Sequence, residues 1–340
     1  MFQLIKETRE AVFLNPMENF KEKKVVIERR FDPLTQQIGW VLPHGFRLKE
    51  PKDLQQTVSQ SLKNPCPFCP DMVDQRTPKF LSTIAENGRI TYGEVVIVPN
   101  LFPYQPHSAV ARLTERHFVP MAEFTERVLL DGLTASLDYI ERLRELDPEL
   151  QYGSINWNYM PPSGGGLIHP HFQPVVSHRP TQFMDLTVRC SSAYLKSEDQ
   201  VFWEKYIKEE EKRGERFIGR IGDVSFFAPF APRNMTGEIM VVFERQETIR
   251  DHSEQYFESF SQGLCCILRG LSALHFTSLN MALYLFFQPQ EGLWTTARIM
   301  PRSVFPPLDT GDVNYYEKLH GEVFCMISPE DMCSYLRPYF

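Results

Sequence analysis

The run His169-Pro170-His171-Phe172-Gln173 has the residue types and spacing for phosphoryl chemistry. In an extended segment, residues two apart share a face. His169, His171 and Gln173 therefore point to the same general side, with Pro170 fixing the backbone between the histidines. A neutral imidazole can attack phosphorus without a strong base, and with a reference pKa of about 6.5 roughly three quarters of an unperturbed histidine is neutral at pH 7. The phosphoramidate so formed is reactive enough to pass its group on, which splits one displacement into two easier ones. A carboxamide at Gln173 can donate a hydrogen bond to a phosphoryl oxygen as charge develops there. Just upstream, Gly164-Gly165-Gly166 lets backbone amides approach a ligand closely and form an anion-binding nest. The expected chemistry is transfer of a phosphorus-centred group through a covalent histidine intermediate.

Cys66-Pro67-Phe68-Cys69 is a second constellation. A Cys-x-x-Cys knuckle in a proline-rich loop is the usual half of a tetrahedral zinc site. A redox motif is expected at a helix start after a strand, and Pro65 and Pro70 give the wrong context. No second Cys-x-x-Cys exists, so the remaining ligands should be histidines, with His107, His117 and His169 as candidates.

Certain elements must position these groups. Residues 25–42 read as a hairpin turning at Asp32-Pro33-Leu34-Thr35. Residues 64–70 cannot be helix or interior strand, because three prolines force an irregular loop. Residues 94–98 read as a buried strand. Residues 122–146 read as an amphipathic helix, with Leu129, Leu133, Leu137, Ile140 and Leu143 on one side and Asp131, Asp138 and Arg142 on the other. Residues 152–160 alternate, placing Ser154, Asn156 and Asn158 on a polar face, before a flexible turn at 161–166. The second half repeats this order, with strand 237–243, helix 253–276 and strand 281–287, as in a duplication visible in pattern rather than identity. Two short helices are expected in 313–337, the second opened by Ser328-Pro329-Glu330.

The 340 residues are 42% hydrophobic, enough for a sizeable core and for two domains or one duplicated unit. Net charge is −7, and the densest charge run, Lys208 to Arg216, mixes signs. A nucleic-acid partner is therefore not expected. The N-terminus lacks an apolar signal region, and no stretch approaches a membrane span. Seven cysteines, an odd number, argue against a disulfide framework and for a reducing cytoplasm. Cys265-Cys266, Phe226-Phe227 and Phe286-Phe287 read as core.

Taken in order, several motifs resemble the galactose-1-phosphate uridylyltransferase family, the transferase branch of the histidine-triad superfamily. They are Asp32-Pro33-Leu34-Thr35 with Pro43-His44, Cys66-Pro67-Phe68-Cys69, Asn100-Leu101-Phe102-Pro103, Asn158 and His169-Pro170-His171-Phe172-Gln173, covering about residues 28–178. Tyr316-Glu317 and Ile327-Ser328-Pro329-Glu330 resemble that family's C-terminus. The resemblance implies an α+β fold of two tandem histidine-triad-like units, here residues 1–195, with the zinc knuckle and the catalytic site, and 196–340, with a degenerate site. It implies His171 as nucleophile and Gln173 as holder of the phosphoryl oxygens. One zinc would sit on Cys66, Cys69, His117 and His169, with His117 preferred because it precedes Phe118-Val119-Pro120 and the long helix. Asn100 and Phe102 would line the base and ribose pocket, Asn158 would reach the phosphate with Gly164 and Gly166 nearby, and Arg47 or Lys49 would stand in for the family's basic residue.

The implied activity moves UMP or AMP from a nucleotide sugar to a phosphorylated acceptor such as a hexose 1-phosphate, within carbohydrate and galactose metabolism. A homodimer is implied by analogy. One departure bears on the acceptor. The family's histidine-rich second strand is represented by residues 293–300, Leu-Trp-Thr-Thr-Ala-Arg-Ile-Met, which contain no histidine, so a second metal is not expected. Two alternatives are a phosphorylase that splits ADP-glucose or a dinucleotide with inorganic phosphate, and a zinc-stabilised nucleotide-binding protein without catalysis.

Overall fold

A computed structural model of the chain describes residues 3–42, 48, 53–248 and 253–340. Pro43, His44, Arg47 and Lys49 lie outside the described residues. β1 (Lys6–Asn15) and β2 (Lys21–Phe31) form a long hairpin, and β3 (Ile38–Val41) follows across a turn. Asp32 builds that turn as its sequence suggests, its Oδ1 accepting from Leu34 N at 3.1 Å, Thr35 N at 2.6 Å and Thr35 Oγ1 at 2.7 Å. α1 (Gln55–Ser61) and α2 (Val73–Arg76) flank the cysteine loop.

One α/β unit then runs through β4 (Ile90–Tyr92), β5 (Val95–Pro99), β6 (His107–Arg112), α3 (Glu126–Leu146), β7 (Tyr152–Tyr159) and β8 (His171–Ser177). Connecting helices α4 (Gln182–Glu198) and α5 (Phe202–Arg213) lead to a second unit of β9 (Phe217–Ile221), β10 (Val224–Phe227), β11 (Ile239–Phe243), α6 (Ser253–Ala273), β12 (Ser278–Phe286) and β13 (Thr296–Arg302). A small hairpin of β14 (Val304–Phe305) and β15 (Thr310–Gly311), then α7 (Tyr315–His320), β16 (Val323–Cys325) and α8 (Pro329–Leu336), close the chain. No described helix is long and apolar enough to cross a membrane.

The duplication is written into the sheet. Ten strands form one sheet in the order β4-β5-β6-β8-β7-β12-β13-β11-β10-β9. Read outward from the β7/β12 seam, each half has the same connectivity, with α3 joining β6 to β7 and α6 joining β11 to β12. The seam is antiparallel along all of β7, from Tyr152 opposite Phe286 to Tyr159 opposite Leu279. A smaller sheet, β1-β2-β3-β16, includes a parallel β3/β16 pair. Between the two expected C-terminal helices, β16 is an element that the short Val323-Phe324-Cys325 run did not announce.

α3 and α6 cover one face of the large sheet. Ile155, Trp157, Tyr159 and Phe172 turn their side chains to this side and are at most 1% exposed. α3 begins at Glu126 rather than 122, because Pro120 precedes a short 3-10 turn and Thr125 caps the helix by accepting from Val128 N. Asp131, expected on the solvent side, is 8% exposed and accepts from Arg127 Nε at 2.9 Å. On the opposite face the halves differ. In the second unit α5 packs Phe202, Trp203 and Tyr206 onto Phe227, Met240, Val242 and Trp294. The corresponding face of the first unit is left for the polar side chains of β7 and β8.

Gly132 sets how closely α3 approaches β8. A Cβ there would lie 2.4 Å from Leu113 Cδ2 and 3.0 Å from the Phe172 ring. Gly132→Ala should therefore destabilise the chain by about 1–3 kcal/mol despite alanine's better helix propensity. A urea midpoint equal to or above the wild type's would contradict the close packing.

Candidate active site

The polar face of β7 and β8 carries the expected catalytic groups. Alternation along β7 buries Gly153, Ile155, Trp157 and Tyr159 and leaves Ser154, Asn156 and Asn158 half-buried on the other side. Asn156 is paired with Gln173 across to β8, and Asn156 Nδ2 donates to Gln173 O at 3.0 Å. Ser154, Asn156, Asn158, Gln173 and Ser177 line a cavity of about 390 Å³, together with Tyr104, Gln105, Thr181, Met184 and Met281.

His171 opens β8, is 5% exposed, and lies opposite Arg112 of β6. Its Nδ1 is 2.7 Å from the carbonyl oxygen of His169. A carbonyl can only accept, so Nδ1 carries the hydrogen and Nε2 keeps the lone pair. Burial pushes the imidazole below its usual range, which favours the neutral form. Two residues on, Gln173 Oε1 accepts from Tyr104 Oη at 3.1 Å, which leaves the Gln173 amide hydrogens for another acceptor.

The knuckle stands against these histidines. Cys66, Cys69, His117 and His169 bring one donor atom each to within 4.8 Å of one another. His169 Nε2 donates to Thr114 O at 2.8 Å, and His117 Nε2 meets Ser61 Oγ at 2.9 Å, so both rings offer Nδ1 to the thiols. The Sγ–Nδ1 separations are 3.4 Å for Cys69–His117, 3.7 Å for Cys66–His169 and 3.9 Å for Cys69–His169. Zinc bonded at about 2.3 Å to sulfur and about 2.0–2.1 Å to nitrogen sets a tetrahedral edge of about 3.6 Å, so this donor set fits zinc. Burial pushes His169 down to about 4 and lowers His117, so neither ring holds a proton that metal must displace. Burial, then the neighbouring Cys66, pushes the Cys69 thiol up to about 11. Phe68 of the knuckle meets His169 edge-on at 6.0 Å and His171 at 5.3 Å between ring centroids. Buried Arg112 ties this loop down, donating to Phe68 O at 3.4 Å and Glu94 O at 2.8 Å.

Other expected residues fall elsewhere. Asn100 shapes its own loop, accepting from Phe102 N at 3.0 Å and donating to Ser108 Oγ at 3.3 Å. Phe102 is 81% exposed, and the cavity wall from this loop is Tyr104 and Gln105. Gly164, at φ +88°, donates its N–H to Pro161 O at 2.9 Å, whereas Gly166 is exposed with open space around it. The unexpected requirement is Gly165, where a Cβ would sit 2.9 Å from Asn158 O. His107 lies at the far end of β6 from the knuckle, opposite Val176. In the second unit, Arg298 occupies the strand expected to lack histidine; its Nε donates to buried Glu238 Oε1 at 2.5 Å and its guanidinium lies over Phe183 at 4.7 Å. Tyr104 and Asn280 were not anticipated. Asn280 stands one residue before the strand read at 281–287, which in fact begins at Ser278.

Solved structures share this architecture. An ADP-glucose phosphorylase from Arabidopsis thaliana, solved with bound ADP-glucose, superposes with a TM-score of 0.68 at 16% identity, covering 92% of this chain and 98% of its own. A GalT-like protein of the same plant gives the same values. A uridylyltransferase gives a TM-score of 0.66 at 16% identity over 92% of this chain and 97% of its own. The chain has the fold of the galactose-1-phosphate uridylyltransferase-like proteins. No family model matches the sequence. An uncharacterised protein of Archaeoglobus fulgidus is 29% identical over 317 residues, 93% of either chain. In the uridylyltransferase-like fold seen here, two tandem α/β copies share one sheet and the first copy carries the histidine run.

Purified from zinc-supplemented medium, the protein should hold equimolar zinc by elemental analysis. Cys66→Ser should lose it and melt earlier, whereas Cys190→Ser, outside the cluster, should change neither. Zinc uptake should release about two protons, one from each thiol, in calorimetry across buffers of different ionisation enthalpy. Uptake without proton release would exclude thiolate ligation.

Proposed function

We propose that the chain is a nucleotidyltransferase that moves UMP or AMP from a nucleotide sugar to a phosphorylated acceptor, such as a hexose 1-phosphate, through a nucleotidyl-His171 intermediate. The observation that carries this reading is the His171 Nδ1 contact with a backbone carbonyl, which leaves Nε2 as the nucleophilic nitrogen. In the first step the Nε2 lone pair forms a bond to the donor's α-phosphorus. The phosphoanhydride P–O bond breaks, and the sugar phosphate leaves with the electron pair. In the second, an acceptor phosphate oxygen attacks that phosphorus and the P–N electron pair returns to Nε2.

Gln173, with its oxygen engaged by Tyr104, donates to the phosphoryl oxygens, and Asn158 does so from β7. The cavity beside them presents hydroxyl and amide groups and no charged side chain among the described residues, which suits a neutral glycosyl moiety. Cys66, Cys69, His117 and His169 would hold zinc, whose contribution is to brace the loop behind the nucleophile. In this reading Asn100, Phe102, Gly164 and Gly166 act from loops outside the cavity lining, and Arg47, outside the described residues, enters from the sequence alone.

The division after residue 195, near the end of α4, belongs to the same reading. So does a reducing cytoplasm, supported by seven free cysteines. A homodimer is supported by the β1–β2 hairpin, where Val12, Phe13, Leu14, Met17 and Phe20 are all at least 45% exposed.

Likeness to an ADP-glucose phosphorylase favours one second reading, in which inorganic phosphate is the acceptor. The two differ in whether donor cleavage requires phosphate or a hexose 1-phosphate.

Incubation with UDP-glucose or ADP-glucose should leave an acid-labile nucleotidyl adduct on His171 by mass spectrometry, absent in His171→Ala. Gln173→Glu, which replaces a donor with a carboxylate, should slow adduct formation by about 100-fold or more. A wild type that forms no adduct with either donor would sink covalent transfer. Sedimentation should show a dimer that dissociates when Phe13 and Leu14 become Asp.

A further inference from the structure

Asn158 takes its orientation from the other half of the molecule. A carboxamide has nearly the same shape after a half-turn about its last bond, but its hydrogen-bond polarity reverses. Only one of the two orientations turns an N–H toward a phosphoryl oxygen. Asn280 of β12 is the direct cross-strand partner of Asn158. Its Nδ2 donates to Asn158 Oδ1 at 2.7 Å and to Ser163 O at 2.9 Å. A half-turn of Asn280 would set its oxygen against both of those oxygens.

The polarity of Asn280 is itself imposed. Arg302 Nη1 donates to Asn280 Oδ1 at 2.6 Å. Asp312, 1% exposed, holds Arg302 through Nε to Oδ2 at 2.9 Å and Nη2 to Oδ1 at 2.6 Å, and accepts from Ser303 N at 2.9 Å. A carboxylate can only accept and a guanidinium can only donate, so the series Asp312, Arg302, Asn280, Asn158 has one self-consistent polarity. Its last member, beside Gln173 in the cavity wall, has its Oδ1 engaged and its Nδ2 hydrogens without a protein acceptor among the described residues.

We infer that Asn280, fixed by Arg302 and Asp312, is a positioning residue that locks Asn158 with its amide hydrogens turned to the phosphoryl oxygens. The second unit, whose own face is filled by α5, thereby completes the site of the first. This inference rests on the reading of Asn158 as a donor to the transferred nucleotide.

The test is the single-turnover rate of adduct formation on His171 with UDP-glucose or ADP-glucose. Asn280→Ala should slow it about tenfold at saturating donor, with little change in the half-saturating concentration. Asn280→Asp should be slower still, because its carboxylate accepts from Asn158 Nδ2 and turns the Asn158 oxygen toward the phosphate. Asn280→Ser serves as a second replacement should the alanine variant fold poorly. In an Asn158→Ala background, Asn280→Ala should add less than a twofold effect, which a merely structural seam residue would not show.

A wild-type rate in Asn280→Ala, or the same loss with and without Asn158, overturns the inference. If the wild type itself forms no adduct, the transfer reading falls, and UMP and AMP affinities by calorimetry decide the positioning. Asn158→Ala and Asn280→Ala should then weaken binding by the same factor and together by no more, whereas additive losses overturn it.

Discussion

The pairing of β7 with β12 is the constraint from which the rest of the site follows. β7 lies between β8, which carries His171 and Gln173, and β12, which belongs to the second copy. Its alternation sends aromatic side chains into the α3 and α6 layer and carboxamides toward the cavity. Because the pairing runs the full length of the strand, its register cannot slip by one residue without exchanging Trp157 for Asn158 on the buried face. The hydrophobic cost of that exchange fixes the polar groups as firmly as any contact they make themselves.

A second constraint works from behind. The knuckle presents Phe68 to both imidazoles of the run, while Arg112 binds the knuckle backbone from β6. A candidate metal ligand and the proposed nucleophile thus share one short strand entry, with His169 facing the thiols and offering its carbonyl to His171. Ligation at His169 would fix the carbonyl that sets the His171 tautomer, an outer-sphere role of the kind that orients reactive groups elsewhere.

Much of this was legible in the chain. Strong periodicity marked α3, β7 and α6, and turn chemistry marked Asp32 and the Ser328 cap, because those signals are local. The histidine run and the cysteine knuckle stood out by spacing alone, whereas the preference for His117 over His107, which the cluster bears out in position, came with the family resemblance. Short strands such as β16 were hidden, since three residues paired to a distant strand carry no period. Asp131 was misplaced because a short acidic side chain paired with Arg127 can sit in a half-turn otherwise read as polar surface. Asn280 was invisible for a deeper reason. Its importance lies in one cross-strand neighbour 122 residues away, and no pattern around it reports that neighbour. The second copy looked degenerate in sequence because its run 293–300 contains no histidine, yet it supplies the seam.

The contact between His171 Nδ1 and the His169 carbonyl has a consequence for the energy of the proposed intermediate. Once Nε2 carries a nucleotidyl group, the ring becomes a cation with no proton free to leave except the one already shared with that carbonyl. The bond then changes from neutral to charge-assisted, and such bonds are roughly twice as strong. The backbone would stabilise the covalent state where water is excluded, while the ring's positive charge keeps its nitrogen a good leaving group. Storage and release of the nucleotide would be balanced by a single main-chain oxygen.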